Sequence, residues 1–249
     1  MSARIYTERF YRTQSARAER VSFRTVVKET DLLIQADRDL STVCRDLILR
    51  YRSFIETYIA AHGEFARTLT PWPVSGPMPA IIKAMATAGN RAGVGPMAAV
   101  AGAVAEQVGR GLLAHSSEVI VENGGDLFVK LEKPATVGIF AGRSPLSMRV
   151  GVKIDSTAKP VAVCTSSGTV GPSLSLGAAD AATVISDSCS LADAAATAIC
   201  NRVNSPVSVA GAIEYGKSIE GVRGVVVICG ETMGAWGEVD VERLGGKKG

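Results

Sequence analysis

The sequence predicts an α+β fold in which helices pack on a mixed, largely antiparallel sheet, and three patterns carry that prediction. Apolar and polar residues alternate over 21–35, which predicts a β-hairpin. Apolar residues recur at helical spacing over 39–62, which predicts a long amphipathic helix. Several short apolar runs then follow one another between 117 and 165 without a helical pattern between them. Strands in direct succession, beside separate helices, favour antiparallel pairing.

Chain length and composition fit one folded unit. The 249 residues are 47% hydrophobic and 20% charged, which is enough for one sizeable core. The sequence has no internal repeat and no low-complexity linker, so we expect a single domain over 1–249. Within it, we expect residues 1–75 to form a subdomain of hairpin and long helix, and residues 76–249 to form a core with the ligand cleft.

Turn residues bound the N-terminal elements. The hairpin turns at Lys28-Glu29-Thr30, and the long helix stops at Gly63. The proline-rich connector TPWPVSGPMP then leads into a shorter helix near 78–88. The apolar stripe of the long helix consists of Leu40, Val43, Cys44, Leu47, Tyr51, Ile55, Tyr58 and Ile59.

A glycine-rich segment separates the shorter helix from the next one. Its glycines precede Pro96, which we expect at the first position of a helix that runs to about Gly109. A Gly/Ser-rich loop is expected at 166–177. Strands are expected near 117–122, 126–132, 136–141, 148–154, 160–165, 181–186 and 224–229, and helices at 190–204 and 211–219.

The net charge of +3 comes from the first 25 residues, which hold six arginines against two glutamates. This excess of four positive charges leaves the rest of the chain near −1. A basic arm could contact nucleic acid or an acidic partner. Lysine clusters are missing, however, and aromatic residues make up only 5% of the chain. We therefore favour a solvated arm or hairpin and expect no nucleic acid partner.

Cysteine spacing and hydropathy set the expected location. The five cysteines are scattered without a C-x-x-C pair, which suits reduced thiols in a cytoplasmic protein and indicates no zinc site. The N-terminus has no apolar leader segment. The longest weakly polar run, PMAAVAGAVA, is too short to cross a membrane. We expect a cytoplasmic protein without a membrane partner.

Asp193 and Thr197 lie four residues apart in the stretch SLADAAATAICNRVN (190–204), so they share one face of the predicted helix. One interpretation is structural: Ser190 and Asp193 form an S-x-x-D capping pair, and Thr197 is merely tolerated. The other is functional: two oxygen ligands one helical turn apart hold a hard cation or a phosphate–metal group. The stretch alone favours the capping pair and leaves the cation site open.

The loop 89–96 is a candidate anion site. Gly93 and Gly95 lie just before a predicted helix N-terminus, where free backbone N–H groups and the helix dipole favour a negative charge. The loop fits neither G-x-G-x-x-G nor the P-loop pattern, so an ordinary tight turn explains it equally well.

Two later segments carry further candidates. VENGGDLFV (121–129) fits a hairpin turn, and its bare glycines would also let a flat ligand lie against the backbone. CTSSGTVG (164–171) is a strand end followed by small hydroxyl residues, which either hydrogen-bond phosphate or ring oxygens or form a surface loop. The candidate residues are Asn123, Gly124, Gly125 and Asp126 in the first segment and Thr165, Ser166, Ser167 and Gly168 in the second.

Histidine-dependent chemistry is not indicated. His62 is expected at a helix end and His115 in a connection, so neither lies near the polar segments in sequence. We therefore name no histidine base and no Ser/His/Asp triad.

Taken in order over about residues 90–204, these motifs resemble those of the ApbE family of flavin transferases. That family has a glycine-rich helix start, then N-x-G-G-D, then T-S-G, and A-D-A-x-A-T-A near its end. The resemblance implies the ApbE-like α+β fold, a relative of the T-fold. The matching residues are Asn123, Gly125 and Asp126, with Gly124 close by; Thr165, Ser166 or Ser167, and Gly168; and Ala192, Asp193, Ala194, Ala196, Thr197 and Ala198.

The resemblance also implies an activity and cofactors. ApbE enzymes move FMN from FAD onto a threonine of a partner protein with magnesium. Asp193 and Thr197 then inherit the role of Mg²⁺ ligands, and FAD or FMN would lie in a cleft lined by 91–96, 123–126 and 165–168. FAD hydrolysis is the related reaction. The alternatives are a nucleotide-binding module without transfer chemistry and a structural oligomer with an empty cleft.

The chain departs from the family pattern in three places. The family's helix start carries a lysine and then an aspartate, but no lysine occurs here between Lys83 and Lys130. The family's H-x-x-D-P-x-T-G segment is replaced by PSLSLGAAD (172–180), which has no histidine. Many family members are exported lipoproteins, and no such leader is visible here. The sequence resembles a short cytoplasmic branch of unknown function.

Overall fold

The computed structural model describes residues 20–170 and 176–245, and an eight-stranded antiparallel sheet lies at its centre. In spatial order its strands are β1 (Val21–Val27), β2 (Thr30–Ala36), β3 (Val119–Asn123), β4 (Asp126–Lys130), β7 (Val161–Ser166), β8 (Ala181–Ser186), β9 (Val222–Cys229) and β10 (Thr232–Gly237). A smaller antiparallel sheet consists of β5 (Ala135–Gly138), β6 (Val150–Ile154) and β11 (Asp240–Arg243), with β6 in the middle.

Helices pack on one face of the large sheet and the small sheet packs on the other. On β7, Ala162 and Cys164 belong to the core beneath the helices, whereas Val161 and Val163 belong to the core beneath the small sheet. This alternation follows from the two-residue repeat of a strand. The helices are α1 (Ser41–Ala61), α2 (Ala80–Ala92), α3 (Val100–Leu112), α4 (Cys189–Cys200) and α5 (Val209–Ser218).

The predicted α+β class and antiparallel sheet are confirmed. The hairpin forms with Lys28 and Glu29 as its turn, and β2 pairs with β3 of the later chain. The basic arm falls largely outside the described residues, which begin at 20. No sequence pattern predicted β10 or β11, because β10 contains two glycines and β11 is a short polar segment.

The start of α3 differs from the prediction. Pro96 begins a 3-10 turn, Pro96–Ala99, and the α-helix begins only at Val100. Proline fits the first turn of either helix type because it lacks a backbone N–H. The four-residue shift places Ala101 and Gly102, rather than the residues near Pro96, in the first turn of α3.

Helix α4 is rich in alanine because it is enclosed on nearly every side. Ten of its twelve residues are buried, and the two exceptions are Asp193 and Thr197. A Cβ on Gly102 would overlap the Cys189 carbonyl oxygen, so α3 and α4 pack closely. The polar pair therefore occupies the one side of α4 that other elements leave partly open.

All five cysteines are buried and none forms a disulfide. Among the described residues, no helix is both long enough and apolar enough to cross a bilayer.

Candidate functional site

Asp193 binds the start of the neighbouring helix rather than capping its own. Its Oδ2 accepts a hydrogen bond from the Gly102 N–H at 2.8 Å. The cap of α4 is Ser188, whose Oγ accepts from the Leu191 N–H. The prediction of a Ser190–Asp193 capping pair is therefore wrong. The structural role of Asp193 is instead a hydrogen bond that joins α4 to the first turn of α3.

The electrostatic surroundings of Asp193 disfavour its charged form. Burial, followed by repulsion from the Asp126 carboxylate, raises the pKa of Asp193 well above its ordinary value, and the backbone amides of Gly102 and Ala101 oppose this only in part. Asp126 is itself buried at the start of β4. A proton retained on one carboxyl group relieves such repulsion, and a cation beside the pair would relieve it as well.

The NGGD motif forms the turn between β3 and β4 and contacts α3. Asn123 ends β3, and its Nδ2 donates to the Ala101 carbonyl oxygen at 3.0 Å. Gly124 has a φ of +73°, a conformation that favours glycine. A Cβ on Gly125 would lie 2.5 Å from the Thr165 carbonyl oxygen, so this position needs glycine for close packing.

The TSSG motif continues β7 beside this turn. The Thr165 N–H donates to the Gly125 carbonyl oxygen at 3.0 Å, and the Thr165 and Thr183 hydroxyls lie 2.9 Å apart. The Ser167 Oγ accepts from the N–H groups of Thr169 and Val170, which folds the loop back on itself. Residues 171–175 of the predicted loop lie outside the described residues.

Ser166 and Gly168 complete that segment. Ser166 is the last residue of β7 and is half-buried. The Gly168 N–H donates to the Ala179 carbonyl oxygen at 2.9 Å, and a Cβ at Gly168 would overlap the Gly177 backbone. Gly168 is therefore explained by packing within the loop.

Gly93 and Gly95 contact other parts of the chain than the polar motifs. Gly93 ends α2 with a φ of +66°, and its Cβ position would lie 3.0 Å from the Tyr215 hydroxyl. A Cβ on Gly95 would overlap the Thr68 carbonyl oxygen. Both positions are thus explained by turn geometry and packing, whereas the amides that face Asp193 are those of Ala101 and Gly102.

The structure therefore joins three of the four sequence motifs around one helix start. Asn123 contacts Ala101, Asp193 contacts Gly102, and Asp126 acts on Asp193 through its charge. Thr165 packs against the turn that carries Asp126. The sequence analysis missed Ala101 and Gly102 because they contribute backbone groups and not side chains. The only sequence signal was the small residue Gly102 in an alanine-rich helix.

The available ligands suit a hard cation that shares its shell with water and phosphate. Thr197 is half-buried and lies one turn after Asp193 on the same face of α4. Over the described ranges, no cluster of three or more His, Cys, Asp or Glu side chains is arranged to hold a metal. Mg²⁺ commonly uses one or two carboxylates and keeps several waters, so Asp193, Thr197 and the adjacent Asp126 fit it.

Two thiols lie beneath this region. Cys164 on β7 and Cys189 at the start of α4 are buried, and the Cys164 Sγ lies 3.6 Å from the Cys189 carbonyl oxygen. Burial raises the pKa of both thiols, so they remain protonated. They serve as small packing residues.

Comparison with known proteins gives a family and a fold. The family model described as AbpE bacteria matches residues 12–235. A UPF0280 protein of Methanocella arvoryzae is 42% identical over 214 residues, which cover 86% of this chain and 87% of that protein. The UPF0280 protein of Methanocaldococcus jannaschii is 36% identical over 222 residues, which cover 87% of this chain and 90% of that protein.

Solved structures share the architecture at low sequence identity. A mutant of the flavin transferase ApbE from Vibrio cholerae has a TM-score of 0.55 and 12% identity, covering 88% of this chain and 97% of that one. The apo flavinyl transferase ApbE of Pseudomonas stutzeri has a TM-score of 0.50 and 14% identity, covering 88% of this chain and 94% of that one. At this level of identity the likeness concerns the fold.

Proposed function

Because the chain belongs to the family described as AbpE bacteria and is 42% and 36% identical to two UPF0280 proteins, we propose that it binds a flavin nucleotide with Mg²⁺. The cleft would lie where the NGGD turn, the TSSG segment and the polar face of α4 meet the start of α3. The flavin is supported by the ApbE-like fold and by the ordered motifs.

The observation that carries this proposal is the repulsion between Asp126 and Asp193 beside the first turn of α3. A helix N-terminus favours phosphate, and a pair of neighbouring acidic side chains favours a cation. The pyrophosphate of a nucleotide bound with Mg²⁺ would supply the negative charge for the helix N-terminus and the positive charge for the two acids. Neither an apolar ligand nor a bare anion would relieve the repulsion between the two acids.

Each site residue has a proposed role. Asp193 and Thr197 hold the cation, and Asp126 adds negative charge near it. Asn123 fixes the first turn of α3 through the Ala101 carbonyl. The TSSG segment would offer hydroxyl groups to the ligand, and Gly168 would shape the loop that carries them. When bound, Mg²⁺ would neutralise the negative charge of the phosphate group whose bond is cleaved.

FMN transfer from FAD to an acceptor protein, or FAD hydrolysis, is the reaction we propose for an active protein. A second candidate is a nucleotide-binding module without transfer chemistry. It is favoured by the missing lysine between Lys83 and Lys130 and the missing histidine in 172–180. We name no catalytic residue. The five free thiols support the proposed cytoplasmic location, and a homo-oligomer is a further proposal.

Titration calorimetry with FAD, FMN, ATP and GTP, each with and without MgCl₂, tests the binding step. We expect a flavin nucleotide to bind more tightly with Mg²⁺ than without it. Equal binding with and without the metal would contradict the cation site, and no binding of any nucleotide would overturn the proposal. Chromatography of FAD incubated with the protein then separates the two candidates, because only an active protein releases AMP or FMN.

A further inference from the structure

A groove lies between α2 and the first turn of α4, away from the candidate flavin cleft. Its volume of about 330 Å³ is that of a small-molecule site. Six residues of α2 line it, together with Ser188 and Leu191 of α4. Successive residues of α4 turn by about 100° around the helix axis, so Leu191 in the groove and Asp193 point to nearly opposite sides.

The α2 side of the groove consists of two rows of residues spaced four apart, so each row runs along one line of the helix. The outer row is polar, and its two basic residues are exposed. The inner row consists of alanines whose burial increases along α2, and Leu191 adds a buried apolar side chain from α4. The groove therefore has an apolar floor and a basic rim. The outer row is Lys83, Thr87 and Arg91, and the inner row is Ala80, Ala84 and Ala88.

The two cations of the rim mark opposite ends of the groove. Lys83 and Arg91 are eight residues apart in α2, which corresponds to a rise of about 12 Å along the helix axis. The Arg91 Nη1 lies 3.5 Å from the position that a Cβ on Gly221 would take, and the Leu191 Cδ2 lies 2.7 Å from the same position. The Arg91 guanidinium group therefore lies close to Leu191, at the α4 side of its end of the groove.

The charges around the groove indicate the class of its ligand. The sequence has no acidic residue over 65–105, and neither Lys83 nor Arg91 forms an ion pair with another described residue, the exposed Glu220 included. On the α4 side, the Glu106 carboxylate accepts a backbone N–H at the helix start and pairs with an arginine of α3. Glu106 thus supplies the negative charge that the start of α4 favours, and the two rim cations stay available to a ligand.

We propose that this α2–α4 groove binds an elongated small molecule with a carboxylate at each end of an apolar chain. Lys83 and Arg91 would each bind one carboxylate, and the chain would cover the alanine row and Leu191. A phosphate ligand fits less well, because two N–H groups in the first turn of α4 already donate to Glu106 and Ser188. This proposal concerns the α2 side of α4 and needs neither nucleotide nor Mg²⁺.

The test titrates the full chain with decanedioate, whose extended length is close to the spacing of Lys83 and Arg91 along α2. Titration calorimetry should show saturable binding of this dianion. Decanoate keeps the apolar chain but has one carboxylate, so it should bind about fivefold more weakly, which is the upper range for an exposed ion pair. The corresponding diamine should not bind. Equal affinity for decanedioate and decanoate, binding of the diamine, or no saturable binding of decanedioate would overturn the proposal.

Matched variants locate the binding. Lys83→Gln and Arg91→Gln should each weaken decanedioate binding by about fivefold. Lys133→Gln and Arg243→Gln remove the same charges at exposed positions outside the groove and should bind like wild type. Ala84→Leu fills the middle of the groove and should abolish binding; should it unfold the chain, the charge variants still decide. Equal weakening in the groove and control variants would indicate only attraction by net charge and would overturn the proposal.

A competition experiment separates this groove from the candidate flavin cleft. Decanedioate affinity should be the same with and without saturating FAD and MgCl₂, because the two sites share no residue. Loss of decanedioate binding in the presence of FAD and MgCl₂ would place the dianion in the flavin cleft and overturn the proposal.

Discussion

The two glycine turns at 93–95 and 124–125 look alike in sequence and differ in their surroundings. At the first turn, Gly93 and Gly95 pack against the Tyr215 hydroxyl and the Thr68 carbonyl. Around the second, Asn123 reaches the start of α3, and Asp126 repels Asp193. Both turns need glycine for packing. Only the second gathers polar groups that packing does not explain, so a glycine pattern alone does not identify a site.

A second contrast, between the carboxyl groups of Asp187 and Asp193, also shows that the surroundings of a residue identify a candidate site. Asp187 lies at the surface, where hydrogen bonds and charge from Lys159 and Arg223 lower its pKa. Asp193 has a raised pKa, and no cationic side chain of the described residues contributes to that shift. A surface carboxylate paired in this way adds little to stability. A partly buried carboxyl group beside another acid, with a strongly raised pKa, is a candidate functional residue.

The largest expected effect is that of Asp193→Asn on Mg²⁺-dependent flavin binding. The amide oxygen can still accept from the Gly102 N–H, but it is a poor ligand for a hard cation, so affinity with Mg²⁺ should fall by about a hundredfold. Titration calorimetry with and without MgCl₂ measures this. Asp187→Asn is the matched control and should bind normally. If Mg²⁺-dependent binding were unchanged in Asp193→Asn, the only role of Asp193 would be its hydrogen bond to the Gly102 N–H of α3.

Glycine substitutions test whether the first turn is structural only. Gly95→Ala places a Cβ against the Thr68 carbonyl, so we expect a loss of about 1–3 kcal/mol in the free energy of unfolding. Flavin affinity of the folded fraction should stay unchanged. Gly125→Ala should also lose stability, because its Cβ would lie 2.5 Å from the Thr165 carbonyl oxygen, and it should lose flavin affinity as well. Urea unfolding and flavin titration of both variants check this difference.

The pH dependence of stability provides a further test without any ligand. The pKa of Asp193 is raised in the folded chain, so the folded chain holds a proton that the unfolded chain has released at the same pH. The free energy of unfolding should therefore decrease as pH rises from the ordinary carboxyl value through the raised one. Asp187 has a lowered pKa and acts in the opposite direction, losing its contribution as pH falls.

Comparison with a variant isolates the contribution of Asp193. Urea unfolding of wild type and Asp193→Asn over a pH series should show a difference between the two proteins that changes with pH in the range above the ordinary carboxyl value. Added Mg²⁺ should reduce the loss at higher pH, because the cation favours the charged carboxylate. A constant difference across that series would mean that Asp193 does not titrate as its surroundings indicate.

The sequence predicted elements whose signal is local and missed features that only the fold creates. The β1–β2 hairpin and the shorter helix near 78–88 follow from local periodicity and turn residues, and the structure contains them as β1–β2 and α2. The backbone of Ala101 and Gly102 belongs to the candidate site because α3 packs against α4. No side-chain pattern could reveal them. The subdomain boundary at residue 75 stays a prediction.

The smallest effect expected at the site is that of Thr197→Val, which removes one hydroxyl and keeps the shape of the side chain. A neutral hydroxyl contributes less to binding a hard cation than a carboxylate does, so flavin affinity with Mg²⁺ should fall by about tenfold or less. Affinity without Mg²⁺ should not change, because the hydroxyl acts through the cation. Thr197→Ser keeps the oxygen and should bind like wild type. For each of the two variants, the loss of affinity could instead be the same in the presence and in the absence of Mg²⁺. Thr197 would then contact the nucleotide directly, and the two carboxylates alone would hold the cation.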